Sequence, residues 1–303
     1  MKNFIYRSIL VVIFVVVLDF ALGKAMQYLL HNQKSGDYYY IHKTLVQTKD
    51  DILILGSSRA NHHYSPDIIS EKLNRTCFNA GKDAQGIYYS YAVLSSILPR
   101  YTPGLIICDL SPNVFVDPEQ LKKLNVIIPY RDQFPVINEF IQLMDSPERV
   151  KLNSSLYPYN SKYFDLMSGY VRPAKSQTGY KPLTGTINPV TFKEIKPDFE
   201  NTDTLSFYFL KKFCSLTKSK NISVVFVISP MYVKDDKKNV VISKLQELVG
   251  SYDYKILDYS LSPNFMNKEF LFRDQIHLNS KGAELFTGIL CDSLASLNYK
   301  KNH

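Results

Sequence analysis

Asp51-Ile-Leu-Ile-Leu-Gly-Ser-Ser-Arg59 is a short apolar run that stops abruptly on Gly56-Ser57-Ser58. Consecutive aliphatic residues bounded by a turn signal read as a strand buried on both faces, and Gly-Ser-Ser reads as a tight turn. Ser65-Pro66-Asp67 then offers an N-cap and a proline at the first helical position, opening a helix to about Leu73. Strand, turn and helix in succession are the unit of an α/β protein.

The unit recurs. Thr76–Phe78 is a second strand ending in Asn79-Ala80-Gly81, and Gln85 to Leu98 is helical, with Ile87, Tyr91, Leu94 and Leu98 on one face. Leu105–Leu110, Ile222–Ile228 and Tyr254–Leu257 are further strands, and Val240–Val249 and Ser280–Leu297 further helices. The alternation predicts a three-layer α/β/α sandwich around a five-stranded parallel sheet, flavodoxin-like in order. From about 114 to 204 the alternation fails, and Pro, Tyr, Asn and Lys dominate, as in Tyr157-Pro-Tyr-Asn160 and Gly179-Tyr-Lys-Pro-Leu183. This is read as an insertion, either a substrate-covering element or a structural cap. The domain plan is thus an anchor at 1–30, a polar, Tyr-rich stalk at 31–50, and an α/β domain at 51–303.

The 303 residues are 45% hydrophobic, with 22 Tyr, 18 Phe and no Trp, enough for a sizeable core and unlike a disordered chain. A formal charge of +8 suits nucleic acid, anionic lipid or an acidic glycan alike, but no nucleic-acid-binding module is present. Lys211, Lys212, Lys218 and Lys220 read as the solvated face of a helix. Cys77, Cys108, Cys214 and Cys291 are scattered with no C-x-x-C pair, which argues against zinc and favours buried small side chains over a disulfide framework.

Phe4–Leu22 is almost wholly apolar, with Arg7 and Asp19 its only charges, and as a helix it rises about 28 Å, enough to span a bilayer. Lys2 and Arg7 keep the amino end cytoplasmic and send the remainder across. Ala21-Leu22-Gly23 also offers a signal-peptidase site, so the segment is an uncleaved anchor or a signal peptide. The apolar pattern continuing through Ala25, Met26, Leu29 and Leu30 favours the anchor. Asp19 is expected at an interface or against a partner helix.

In an open parallel sheet ligands bind beyond the carboxyl ends of the strands. Strand one delivers Ser58 there, strand two Gly81 and strand three Asn113, while Asp274 and His277 precede the last helix. A serine hydroxyl needs a base to take its proton, and histidine titrates near neutrality. In Asp274-Gln-Ile-His277 the carboxylate reaches the other ring nitrogen, fixing the tautomer. The developing oxyanion needs donors already aimed at it: backbone N–H groups at Ser58 and Gly81, and the Asn113 side-chain amide. Arg59 either meets an anionic substrate group or makes a salt bridge to the scaffold. Tyr180 and Tyr232 either stack against a sugar or pack in the core. His62 and His63, with Asp67 nearby, read as solvated residues and not as metal ligands.

Together and in order, Ile52–Arg59 (ILILGSSR), Phe78–Gly81 (FNAG), Leu105–Asn113 (LIICDLSPN) and Phe272–Leu278 (FRDQIHL) resemble the four sequence blocks of the SGNH (GDSL-like) hydrolase superfamily. The likeness covers most of 51–113 and 222–297. It departs at Ser57, where Asp is usual, at Arg59, where Leu is usual, and at Ser111-Pro-Asn113, where Gly-x-Asn-Asp is common.

The resemblance implies an ester-cleaving serine enzyme with Ser58 as nucleophile, His277 as base and Asp274 as its orienting group, without metal or cofactor. Behind a membrane helix, Gly-Ser-Ser is similar to the teichoic-acid D-alanyl-transfer and polysaccharide O-acetylation types. That likeness implies an extracytoplasmic esterase or O-acyltransferase acting on acyl, chiefly acetyl, esters of a cell-surface polysaccharide or glycolipid. For transfer it implies an integral membrane O-acyltransferase as partner. The alternatives are a catalytically silent glycan-binding or assembly factor on the same scaffold and, ranked last, a secreted lipase.

Overall fold

The computed structural model describes residues 1–117, 119–173, 176–187, 202–232 and 238–297. The chain divides into two compact units, Met1–Gln47 with Leu124–Lys175, and Thr48–Lys123 with Ser176–His303.

The second unit is an α/β domain. Its strands β1 (Ile52–Leu55), β2 (Cys77–Asn79), β3 (Leu105–Asp109), β4 (Ser223–Ile228) and β5 (Ile256–Asp258) form one sheet in the order β2-β1-β3-β4-β5. Every pairing is parallel, for example Ile54 against Ile107 and Ile107 against Val225. Both faces are covered, which explains why β1 and β3 are aliphatic without alternation. Ile52, Ile54, Leu105, Ile107, Val225 and Val227 pack toward Phe286, Leu290 and Leu294 of helix Ser280–Ser296. On the opposite face Phe226 meets Phe213 of helix Thr204–Ser219, ring centroids 6.0 Å apart. Each such side chain, once buried, stabilises the fold by about 1.5–3 kcal/mol.

From β1 the chain goes to β2 on one side, and β3 then returns to the other side of β1. The carboxyl ends of β1 and β3 therefore flank the point at which the strand order reverses, where α/β sheets bind ligands.

The other unit joins the amino-terminal residues with part of the expected insertion. The helix predicted at the amino terminus runs unbroken from Lys2 to His31, and its apolar part is long enough to cross a membrane. The segment read as a stalk folds as helix Gly36–His42 and a π-helical turn at Lys43–Gln47, burying Tyr38, Ile41, Thr44 and Leu45. Helix Tyr163–Val171, from the middle of the insertion, lies against this segment. Its Leu166 carbonyl accepts from Gln33 Nε2 at 2.8 Å, and its Gly169 carbonyl from the N–H groups of Lys34 and Ser35 at 2.8 and 3.0 Å.

Asp19 also finds a partner that the sequence did not indicate. Its carboxylate accepts from Ser154 Oγ at 2.5 Å, from the Ser155 N–H at 2.7 Å and from the Leu156 N–H at 3.3 Å. The carboxyl half of the long helix is thereby built into its own unit, while the residues before Asp19 leave their apolar side chains exposed.

Candidate active site

The site begins with a backbone constraint. At the end of β1, Gly56 has φ +139°, and a Cβ there would stand 2.8 Å from the Asp109 carbonyl oxygen and 2.9 Å from the Ala60 Cβ. Only glycine allows β1 to turn this sharply against β3. Ser57 follows in extended conformation, and helix Ser58–His63 starts at once, so Ser58 occupies its first turn beyond the sheet edge. There the helix N–H groups have no intrahelical acceptor and are available to an anion.

Across the site, Phe272–Leu278 forms a narrow loop. Phe272 pairs with Leu278 as an antiparallel bridge, and the Arg273 N–H donates to the His277 carbonyl at 2.8 Å. Inside it, Asp274 Oδ1 accepts from the N–H groups of Ile276 at 3.0 Å and His277 at 2.9 Å. His277 Nδ1 lies 2.9 Å from Asp274 Oδ2, and Nε2 lies 2.7 Å from Ser58 Oγ. An ionised carboxylate only accepts, so the imidazole proton sits on Nδ1 and Nε2 is left to accept from the serine hydroxyl. Burial alone would raise Asp274, but hydrogen bonds from the His277 ring and from two backbone N–H groups hold its carboxyl below the usual carboxylate range. Ser58, His277 and Asp274 thus form one hydrogen-bonded chain, which can deprotonate a nucleophile and return the proton.

Gly81 packs onto helix Ser58–His63: a Cβ there would meet the Asn61 nitrogen at 2.6 Å. Its N–H donates to Asn79 Oδ1 at 2.9 Å, so an oxyanion would have to share this donor. Asn79 was not singled out in the sequence. Its Nδ2 donates to the carbonyls of Ala60 at 2.7 Å and Tyr64 at 3.1 Å, tying the end of β2 to the helix that Ser58 begins. Asn113 lies in a 3-10 turn directly after β3, with its Oδ1 buried and without a hydrogen-bond partner.

The remaining candidates each have partners in the surrounding scaffold. Arg59 is 1% exposed; its Nε donates to Ser229 Oγ at 2.9 Å and stands 3.7 Å from Asp109 Oδ1. Tyr180 packs on the core with its hydroxyl buried, and burial pushes that hydroxyl up to about 12. Tyr232 backs the Phe272–Leu278 loop: its N–H donates to the Gln275 carbonyl at 3.1 Å, its hydroxyl donates to Glu269 at 2.7 Å, and its ring lies 5.5 Å from that of Phe272.

His62 and His63 correct the sequence reading, because they are 7% and 0% exposed instead of solvated. The acidic partner of His62 is Asp83, with Nε2 3.0 Å from Asp83 Oδ1, while its Nδ1 lies 2.7 Å from the Lys181 carbonyl. The four cysteines are buried and unbridged.

A second feature escaped the sequence. Residues 178–187, within the expected insertion, form a strap laced to the second and fourth blocks and to the residues that follow the first and fourth. The Thr178 carbonyl accepts from the Asn79 N–H at 2.8 Å, the Lys181 N–H donates to the Asn61 carbonyl at 3.2 Å, and the Leu183 carbonyl accepts from the Ser280 N–H at 2.8 Å. The Gly185 carbonyl accepts from Asn279 Nδ2 at 3.0 Å, and the Ile187 N–H donates to the Phe272 carbonyl at 2.8 Å. Backbone bonds of this kind leave no composition signal. Ser229 carries a weak one, since it directly follows β4, where the rule applied to the other strands would have flagged it.

No protein-family model matches the chain, and no curated protein does. Among solved structures it is similar to a protein described as lipolytic, of the G-D-S-L family, from Desulfitobacterium hafniense (10% identity, 80% of this chain and 98% of that one, TM-score 0.42). It is also similar to a protein described as an acylhydrolase from Bacteroides fragilis (12% identity, 85% and 95% coverage, TM-score 0.45). A third is an acetyl xylan esterase (11% identity, 81% and 98% coverage, TM-score 0.41).

Proposed function

We propose that the protein is a serine esterase or O-acyltransferase of the SGNH type, anchored by its amino-terminal helix and acting outside the cytoplasm on acyl esters of a cell-surface glycan. The observation that carries the chemical part is the unbroken chain from Ser58 Oγ through His277 to Asp274. The membrane part rests on the apolar helix that opens the chain, and the glycan on the resemblance of the Gly-Ser-Ser block behind such a helix.

In this reading Ser58 Oγ attacks the acyl carbonyl carbon while its proton moves to His277 Nε2. The Oγ–C bond forms, the carbonyl electron pair becomes an oxyanion, and Asp274 stabilises the imidazolium. N–H groups of Ser58 and Gly81 and the Asn113 amide are the proposed oxyanion donors. Collapse expels the alcohol, which takes the proton from His277, and leaves an acyl-enzyme. Water or a sugar hydroxyl then attacks this ester with His277 again as base, so hydrolysis and transfer differ only in the acceptor.

Labelling of detergent-solubilised protein by a fluorophosphonate probe, with cleavage of p-nitrophenyl acetate, tests this reading. Wild type is expected to react and Ser58→Ala to be inert. Well-folded wild-type protein that does neither would instead favour a glycan-binding or assembly factor. Comparing the acyl content of the surface glycan with and without the gene tests the substrate class.

A further inference from the structure

His63 ends the helix that Ser58 begins, and it is wholly buried. Its Nε2 lies 3.0 Å from the backbone nitrogen of Leu278, the residue after His277, and its Nδ1 lies 2.9 Å from Ser229 Oγ. A backbone N–H can only donate, so Nε2 carries no proton and the single ring proton sits on Nδ1, directed at Ser229. Ser229 Oγ also accepts from Arg59 Nε at 2.9 Å, which fixes the serine and, through it, the imidazole. The Thr287 hydroxyl donates to the His63 carbonyl at 3.2 Å, holding the same residue to the last helix.

Ser58 and His277 stand 219 positions apart in the chain, yet they must meet at hydrogen-bond distance. The Leu278 N–H is buried, and its acceptor comes from the nucleophile's own helix. We propose that His63 is a positioning residue that sets the reach of His277 to Ser58 by bonding the backbone of the base loop to the nucleophile helix. The inference rests on the serine-nucleophile reading and names a group that reading does not include. Neutrality suits the role, because a protonated ring could not accept from Leu278. Burial, with Arg59, His277 and His62 as the charged or titratable groups facing the ring, holds His63 well below the usual histidine range.

Three variants separate positioning from packing. His63→Gln places an oxygen where Nε2 stood and keeps the acceptor for Leu278, His63→Asn keeps only the donor to Ser229, and His63→Ala keeps neither. In full-length, detergent-solubilised protein, the measurements are the rate constant of fluorophosphonate labelling across pH, kcat and KM for p-nitrophenyl acetate, and Tm. Misplacing a catalytic group by about 1 Å costs on the order of 100-fold. Asn and Ala are therefore expected to lower kcat by about 10- to 100-fold with little change in KM and to displace the pH profile, and Gln to restore most of the rate. Should Ala fail to fold, Gln against Asn carries the comparison. Wild type that resists the probe defeats the nucleophile reading and this one with it. Labelled wild type matched by folded His63→Asn, or Gln no faster than Asn, overturns the positioning role alone.

Discussion

Asp83 Oδ1 accepts from Asn61 Nδ2 at 2.7 Å and stands 3.0 Å from His62 Nε2, so one carboxylate holds two consecutive residues of helix Ser58–His63. It lies two residues beyond Gly81, and so ties the segment after β2 to the helix that carries Ser58.

Acid stability follows from this pair. Burial would raise Asp83, but hydrogen bonds from His62 and Asn61 hold it well below the ordinary carboxylate range. A depressed carboxyl contributes stability that is complete above its unfolded value, about 3.9, and is lost as pH falls through the folded one. The side chain is 44% exposed, which limits the contribution to about 1 kcal/mol. Asp83→Asn is expected to lower the urea midpoint at pH 7 and to make stability less dependent on pH below about 4; equal slopes in wild type and variant would contradict this.

Asp274→Asn is expected to leave the fold intact and reduce kcat by about 1,000- to 10,000-fold with KM nearly unchanged, because an amide no longer holds the Nδ1 tautomer. Steady-state kinetics with p-nitrophenyl acetate reads this directly. A loss confined to KM would place Asp274 in binding and not in the proton path.

Gly56→Ala combines a positive φ with a contact of 2.8 Å to the Asp109 carbonyl. The expected cost is about 2–4 kcal/mol of unfolding free energy by denaturant titration, combining backbone strain and overpacking. Fluorophosphonate labelling should fall further than stability does, since the displaced backbone carries Ser58.

Asp19→Ala removes the acceptor for three hydrogen bonds from Ser154, Ser155 and Leu156. The turn is expected to become sensitive to limited proteolysis, while the probe reaction of Ser58 is expected to persist. Intact mass of the membrane-extracted protein should include residues 1–23, because removing them would take Asp19 from a turn it holds.

Aliphatic runs, turn residues and helical periodicity are local signals. They were enough to place all five strands to within about two residues and to single out Ser58, Asp274 and His277, which the fold brings into one hydrogen-bonded chain. A strand buried on both faces announces itself in consecutive residues such as Ile52–Leu55, and Asp274 and His277 are only three positions apart. Which distant groups meet is not local. Arg59 and Ser229 are 170 positions apart, His63 and Leu278 are 215, and Asp19 and Ser154 are 135. Those pairings depend on sheet register and on helix seating, where a displacement of one residue exchanges every partner. The amino-acid order alone therefore determined the scaffold and its reactive groups, while the closed chain between Ser58 and His277, and the buried contacts that steady it, were decided by packing in three dimensions.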